Sequence, residues 1–292
     1  MNTIAVLLVI LSATMHAARN LLTKQAFDKQ AFVWWYEIVG LILFSPVFAW
    51  VLFRQGIELS PFYFVILVSG FIHFLYWLFL AKSLETGDLS RVYPIMRSSP
   101  AIVLVISIFI LGEKVSLQGI FGILLVALGV YSIIMRKISI SELIQPLRAI
   151  RHDRSTQFAV LTLLSVTAYT IADKMAVEHI HPVIFAFLYP WISLSLFTYY
   201  VSRVKNNGEL KNEWSVNRKS ILLCGVLSIF GYFLILAAFT MERVSYIVGL
   251  RQLSIVFAVI MGGQILGEKH QLIRISAALI IFSGTFLIAL AE

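Results

Sequence analysis

Apolar residues come in ten runs along this chain, at about 3–24, 31–53, 61–82, 90–111, 116–135, 156–177, 182–202, 219–241, 244–266 and 271–290. A helix needs about 20 apolar residues to cross the hydrocarbon core of a bilayer. Each run is close to that length, so the pattern predicts ten transmembrane helices joined mostly by short connections. Two connections are longer. Residues 136–155 are basic with some amphipathic character at Ile144, Leu147 and Ile150, and residues 203–218 are polar, with Asn206-Asn207-Gly208 expected as a turn.

The runs repeat. Arg91 to Lys114 reads RVYPIMRSSPAIVLVISIFILGEK and returns as YIVGLRQLSIVFAVIMGGQILGEK from Tyr246 to Lys269. Each copy carries an arginine about two turns inside a span, Arg97 and Arg251, and each ends in Leu-Gly-Glu-Lys. Lys24 and Lys174 likewise close the first span of each set of five. A unit with an odd number of spans must insert its second copy upside down. The expected fold is therefore an all-α integral membrane protein, ten helices in two inverted five-helix repeats. The repeats run over 1–135 and 156–292, and the basic segment 136–155 links them as a surface helix with no regulatory role.

Composition agrees. The chain has 292 residues, 60% hydrophobic and 13% charged, whereas a soluble domain is about a quarter charged. The formal charge of +8 is read by location, since basic loops of membrane proteins mark the cytoplasmic side rather than nucleic-acid binding. One face gathers 16 lysines and arginines and the other holds Arg54, Lys114, Lys174 and Arg243. The positive-inside rule then puts both termini outside. The first run lacks the basic region of a secretory signal and is expected to remain as a span. Cys224 is the single cysteine, which excludes an internal disulfide. No histidine spacing supports a metal, and no cofactor is expected.

Charges within the spans carry the chemistry. An arginine near the middle of a span costs roughly 2.5–3.5 kcal/mol on insertion scales unless it faces a wet cavity or a partner. Arg97 and Arg251 are therefore expected to bind a negatively charged ligand, and the planar guanidinium suits carboxylate or phosphate. His16, Arg19, Asn20 and Thr23 recur at three- and four-residue spacing and form one polar stripe. That stripe should face the bundle, lining a cavity or making interhelical contacts. Glu37 is a candidate for proton coupling or for a gating ion pair with Arg19 or Arg97. His73 and Tyr76, with Tyr93, Tyr169, Tyr189, Tyr232 and Tyr246, suggest an aromatic, hydrogen-bonding wall. Asp173-Lys174 is expected to form an interfacial cap or pair. Pro94 and Pro100 flank Arg97 and predict a kink in the fourth span; Gly249 would permit close approach or bending in the ninth. The Gly-Glu-Lys hairpins read as structural, glycine ending one helix and the glutamate favouring the start of the next.

These features resemble the drug/metabolite transporter superfamily, specifically its two-repeat EamA-type members. The resemblance rests on ten short spans, the lysine closing the first span of each repeat, and Pro100 with Leu111-Gly112-Glu113-Lys114. The second copy keeps Leu266-Gly267-Glu268-Lys269 but has Ile255 in place of the proline, and Ala18-Arg19-Asn20 replaces the family's usual Trp-Gly in the first span. The resemblance implies a secondary transporter of the inner cell membrane whose central cavity is lined by spans 1–4 and 6–9, with spans 5 and 10 peripheral. Some relatives keep their termini in the cytoplasm, opposite to the loop charges here. No P-loop, GxSxG or dinucleotide fingerprint occurs, which disfavours ATP-driven transport and enzymology. The function expected is transport of a small anionic or zwitterionic metabolite by alternating access. Its binding residues would be His16, Arg19, Asn20, His73, Tyr76, Tyr93, Arg97, Tyr169, Tyr232 and Arg251. Export of hydrophobic cations, which three buried arginines oppose, and translocation of a phosphate-bearing lipid are the alternatives.

Overall fold

The computed structural model describes residues 1–56, 61–86, 95–132, 152–266 and 271–291. Tyr93, Pro94, Glu268, Lys269 and nearly all of the 136–155 linker lie outside that set. The described helices are α1 (Thr3–Gln25), α2 (Lys29–Gln55), α3 (Phe64–Thr86), α4 (Ser99–Phe109), α5 (Leu117–Ser132), α6 (Arg154–Val177), α7 (Pro182–Val204), α8 (Asn207–Phe239), α9 (Val244–Arg251), α10 (Leu253–Leu266) and α11 (Gln271–Ala289). α9 and α10 together form the ninth span. Among the described residues five helices are long and apolar enough to cross a bilayer, and five shorter apolar helices stand at the remaining spans. The exposed side chains of α1, α2, α5 and α11 include Leu7, Leu11, Ile42, Phe121, Leu124, Leu279 and Phe282, as expected of surfaces that meet lipid.

Helix packing displays the repeat. α1 packs on α8 as α6 packs on α3, α2 packs on α8 as α7 packs on α3, and α1 meets α10 as α6 meets α4. α2 with α7, α4 with α9, and α5 with α11 pair across the exchange. Swapping the first five spans for the second five maps each pair onto another, the relationship an inverted repeat generates.

Small residues bring the closest pairs together. A Cβ added to Gly122 of α5 would lie 2.8 Å from the Gly284 carbonyl oxygen of α11, and one on Gly284 would lie 2.6 Å from that of Gly122. Without a strong hydrophobic drive between helices in lipid, such backbone approach supplies the packing. Gly249 serves the same purpose. A Cβ there would meet Ile288 Cδ1 at 2.6 Å, so the residue permits approach to α11, and the bend in the ninth span falls three residues later.

Two connections differ from expectation. Residues 203–218 are largely helical: Asn206 caps the Glu209 amide, Glu209 reaches back to the Asn206 amide, and α8 runs from Asn207 with non-helical geometry only at Asn217. That reciprocal cap satisfies two orphan donors and outweighs the turn tendency of Asn-Asn-Gly. Gly112, at φ 66°, ends the fourth span in the left-handed region as expected. Glu113, however, caps the other repeat. Its carboxylate accepts from the amides of Val244 and Ser245 and, at 2.6 Å, from the Ser245 hydroxyl, closing the start of α9 rather than that of α5. α9 carries no capping side chain of its own, so it takes one from across the pseudo-symmetry axis.

Candidate functional site

The fourth and ninth spans both break beside their arginine. Residues 95–97 are helical, Ser98 leaves helical geometry, and α4 restarts at Ser99 with Pro100 in its first turn, where a missing N–H costs nothing. In the ninth span α9 ends at Arg251, Gln252 bonds back to Gly249 and α10 begins at Leu253. Discontinuous helices at matching places in two repeats are how transporter folds build a site at mid-membrane. Proline accounts for one break. The other occurs without proline or glycine at the break itself, three residues after Gly249, where bending or close approach was expected. The Gln252 side chain donates to the Val248 carbonyl at 3.2 Å, and its buried carbonyl oxygen has no partner among the described residues.

Arg97 and Arg251 are both partly exposed despite lying inside spans. Together with Arg19 they act electrostatically on His16, and Arg97 and Arg251 also act on Tyr169. Three guanidinium groups from three spans therefore converge on one region. Arg251 lies over the Tyr232 ring, 5.4 Å from its centroid, and Arg19 over that of Tyr36 at 5.8 Å, contacts that favour a cation when it is removed from bulk water.

Around Arg19 the polar stripe of α1 meets α2 and α8. Arg19 Nη1 donates to Ser228 Oγ at 3.0 Å, and Ser228 donates to Glu37 Oε1 at 2.9 Å. Arg19 Nη2 lies 2.8 Å from His16 Nδ1. A guanidinium only donates, so Nδ1 accepts and the His16 proton sits on Nε2. Glu37 and Arg19 are thus joined through one hydroxyl. Asn20 is partly exposed on the same helix. Thr23 bonds the Arg19 carbonyl of its own helix at 2.8 Å, which gives it a structural use.

A second polar centre surrounds Asp173, which is fully buried. Its carboxylate accepts from the hydroxyls of Ser69 and Tyr232 and, at 3.1 Å, from His73 Nε2. The His73 ring stacks on Tyr169 at 3.9 Å and lies 4.6 Å from that of Tyr189, while Tyr76 meets Tyr169 edge-on at 5.7 Å. Asp173 therefore does not cap or pair at the interface with Lys174. Successive helical residues point about 100° apart, and Lys174 turns to Glu178 at 3.1 Å and to the carbonyls of Phe239 and Glu242. Tyr246 is not part of this aromatic wall. Its hydroxyl bonds the Ser116 amide at 3.0 Å. Ser69 and Ser228 escaped the sequence reading, and Asp173 was given an interfacial role instead of this one. The four-residue spacings Ser69/His73 and Ser228/Tyr232 were the available signals, because they place each serine on the face of a residue already singled out.

The sequence pattern of the EamA-like transporter family matches twice, over residues 3–135 and 155–290. The chain belongs to the EamA-like transporter family. It is accordingly a multi-pass membrane protein of a transporter family, with lipid and a small-molecule substrate as partners. No curated protein matches the chain. One solved crystal structure aligns over 98% of this chain and 97% of its own at 15% identity with a TM-score of 0.72, a likeness that shows a shared fold and nothing of the cargo.

Proposed function

We propose that this EamA-like protein is a secondary transporter of a small anionic or zwitterionic metabolite. The observation that carries the reading is the placement of Arg97 and Arg251 at matching helix breaks, with Arg19 near enough to act on the same histidine. A carboxylate or phosphate bound among cations that lie this close together lowers their mutual repulsion. Guanidinium forks bind carboxylate or phosphate in a fixed orientation, and His16, Asn20, Tyr76, Tyr169 and Tyr232 would add orienting hydrogen bonds. Glu37, tied to Arg19 through Ser228, offsets one of the three charges and would act as a gating partner that exchanges with the substrate. Rocking of the two repeats would expose the site to either side of the inner cell membrane.

A thermal-shift screen of the purified protein against anionic, zwitterionic and cationic metabolites tests this. Stabilisation by carboxylates or phosphates is expected. Stabilisation by cations alone would overturn the charge argument, and stabilisation only by phosphate esters bearing acyl chains would make the cargo a lipid.

A further inference from the structure

Asp173 and His73 have no assigned part in anion binding, yet they form the most buried ionisable pair among the described residues of the spans. We propose that His73, backed by Asp173, is the proton-binding site of this transporter, and that an anion bound at Arg251 favours its protonation, so that the two cross together. The proposal rests on the anion-transport reading above.

The geometry sets the roles. The Asp173 carboxylate can only accept, so His73 donates from Nε2 and presents Nδ1 as the base. A proton taken from water there becomes an N–H, and no bond of the substrate changes. The resulting imidazolium is held by the carboxylate, whose remaining bonds come from Ser69 and Tyr232. The groups around the pair come from every neighbouring element. α6 contributes Tyr169, α7 Tyr189 and α3 itself Tyr76; all three are uncharged. α8 contributes Tyr232, whose ring carries Arg251 of α9. Arg97, just before α4, acts on Tyr169, and Glu37 of α2 and His73 act on each other. The Arg251 guanidinium, held against the Tyr232 ring whose hydroxyl is on Asp173, opposes a further positive charge at the pair. An anion bound at Arg251 removes that opposition. By linkage the proton then strengthens anion binding by the same factor.

The full-length protein labelled with ¹⁵N-histidine, in lipid nanodiscs at about pH 6.5 where imidazole is poised to change charge, gives the test. The His73 signal is identified by its loss in His73→Gln. The imidazolium fraction at His73 should rise in Arg251→Ala and fall in Asp173→Asn. Tyr232→Phe, which keeps the ring and removes only the hydroxyl on Asp173, should also change it if Asp173→Asn fails to fold. A His73 imidazole that stays neutral across roughly pH 5–8, or one indifferent to Arg251→Ala, would overturn the proposal. Sodium sulfate added to the wild type should act like Arg251→Ala. Sulfate without effect while Arg251→Ala still shifts the signal would count against the anion reading and leave the proton site standing.

Discussion

Ser228 and Tyr232 stand one turn apart on α8, and each donates its hydroxyl to a different intramembrane carboxylate, Ser228 to Glu37 and Tyr232 to Asp173. One helix of the second repeat thereby ties together α2 and α6 and touches two of the three arginines, Arg19 by a hydrogen bond and Arg251 through the Tyr232 ring. Residues four apart share a helix face, so any rotation or tilt of α8 changes both polar centres at once.

Ser228→Ala should separate Arg19 from Glu37. Hydrogen bonds to charged groups contribute about 1.5–3 kcal/mol each, and a loss near the lower end is expected because Arg19 and Glu37 are both partly exposed. Ser228→Thr keeps the hydroxyl and should keep most of the stability. Thermal unfolding in detergent reads the difference; equal melting of wild type and Ser228→Ala would mean the bridge does not form.

The α5–α11 seam should tolerate nothing larger than glycine. Gly122→Val or Gly284→Val inserts carbon where a Cβ already lies under 3 Å from backbone, and overpacking of this kind costs about 1–3 kcal/mol. Melting temperature should fall, while the stabilisation given by a bound anion should stay as in the wild type, since the closest contacts of both glycines lie within the α5–α11 seam itself.

Glu113 holds the start of α9 from the opposite repeat. Glu113→Ala should cost about 0.5–2 kcal/mol, as loss of a helix cap does. Glu113→Gln, which keeps one acceptor, should cost less. A Glu113→Ala protein as stable as the wild type would show that the α9 amides find another partner.

Outside the spans, Asp28 is bonded to Lys205 and to the amides of Gln30 and Ala31. Partial burial alone would raise its carboxyl, but Lys205 and the two amides outweigh it and hold it below the usual carboxylate value. A depressed value favours the folded state above the ordinary carboxylate range, and that contribution is lost as pH falls through the folded value. Stability should therefore drop on acidification below about pH 4. Asp28→Asn should flatten that part of the profile, and an unchanged acid limb would assign it to other carboxylates.

The ten spans and their repeat were legible because hydrophobic length and an odd repeat number constrain topology strongly. Arg19, Arg97, Arg251, Glu37, His73 and Tyr232 were legible because polar residues in apolar runs need a reason. What stayed hidden depends on direction. Asp173 and Lys174 are neighbours in sequence and, lying at the end of a span, read as one polar pair, yet the helix turns one toward His73 and the other toward the end of α8. Serines such as Ser69 and Ser228 are common in membrane helices and gain meaning only from what faces them. Glu113 read as a hairpin residue because the α9 amides it caps are 131 residues away in sequence. The α8 start was missed because Asn-Asn-Gly outweighed the reciprocal cap from Asn206 and Glu209.

The account stands on the guanidinium groups at the helix breaks meeting a negatively charged cargo. Its most direct measurement is uptake into proteoliposomes of whichever anion most stabilises the wild-type protein, compared with Arg97→Ala at equal reconstitution. The account predicts that Arg97→Ala inserts and folds with near-complete loss of uptake. Uptake at the wild-type rate would remove Arg97 from the transport site and contradict it.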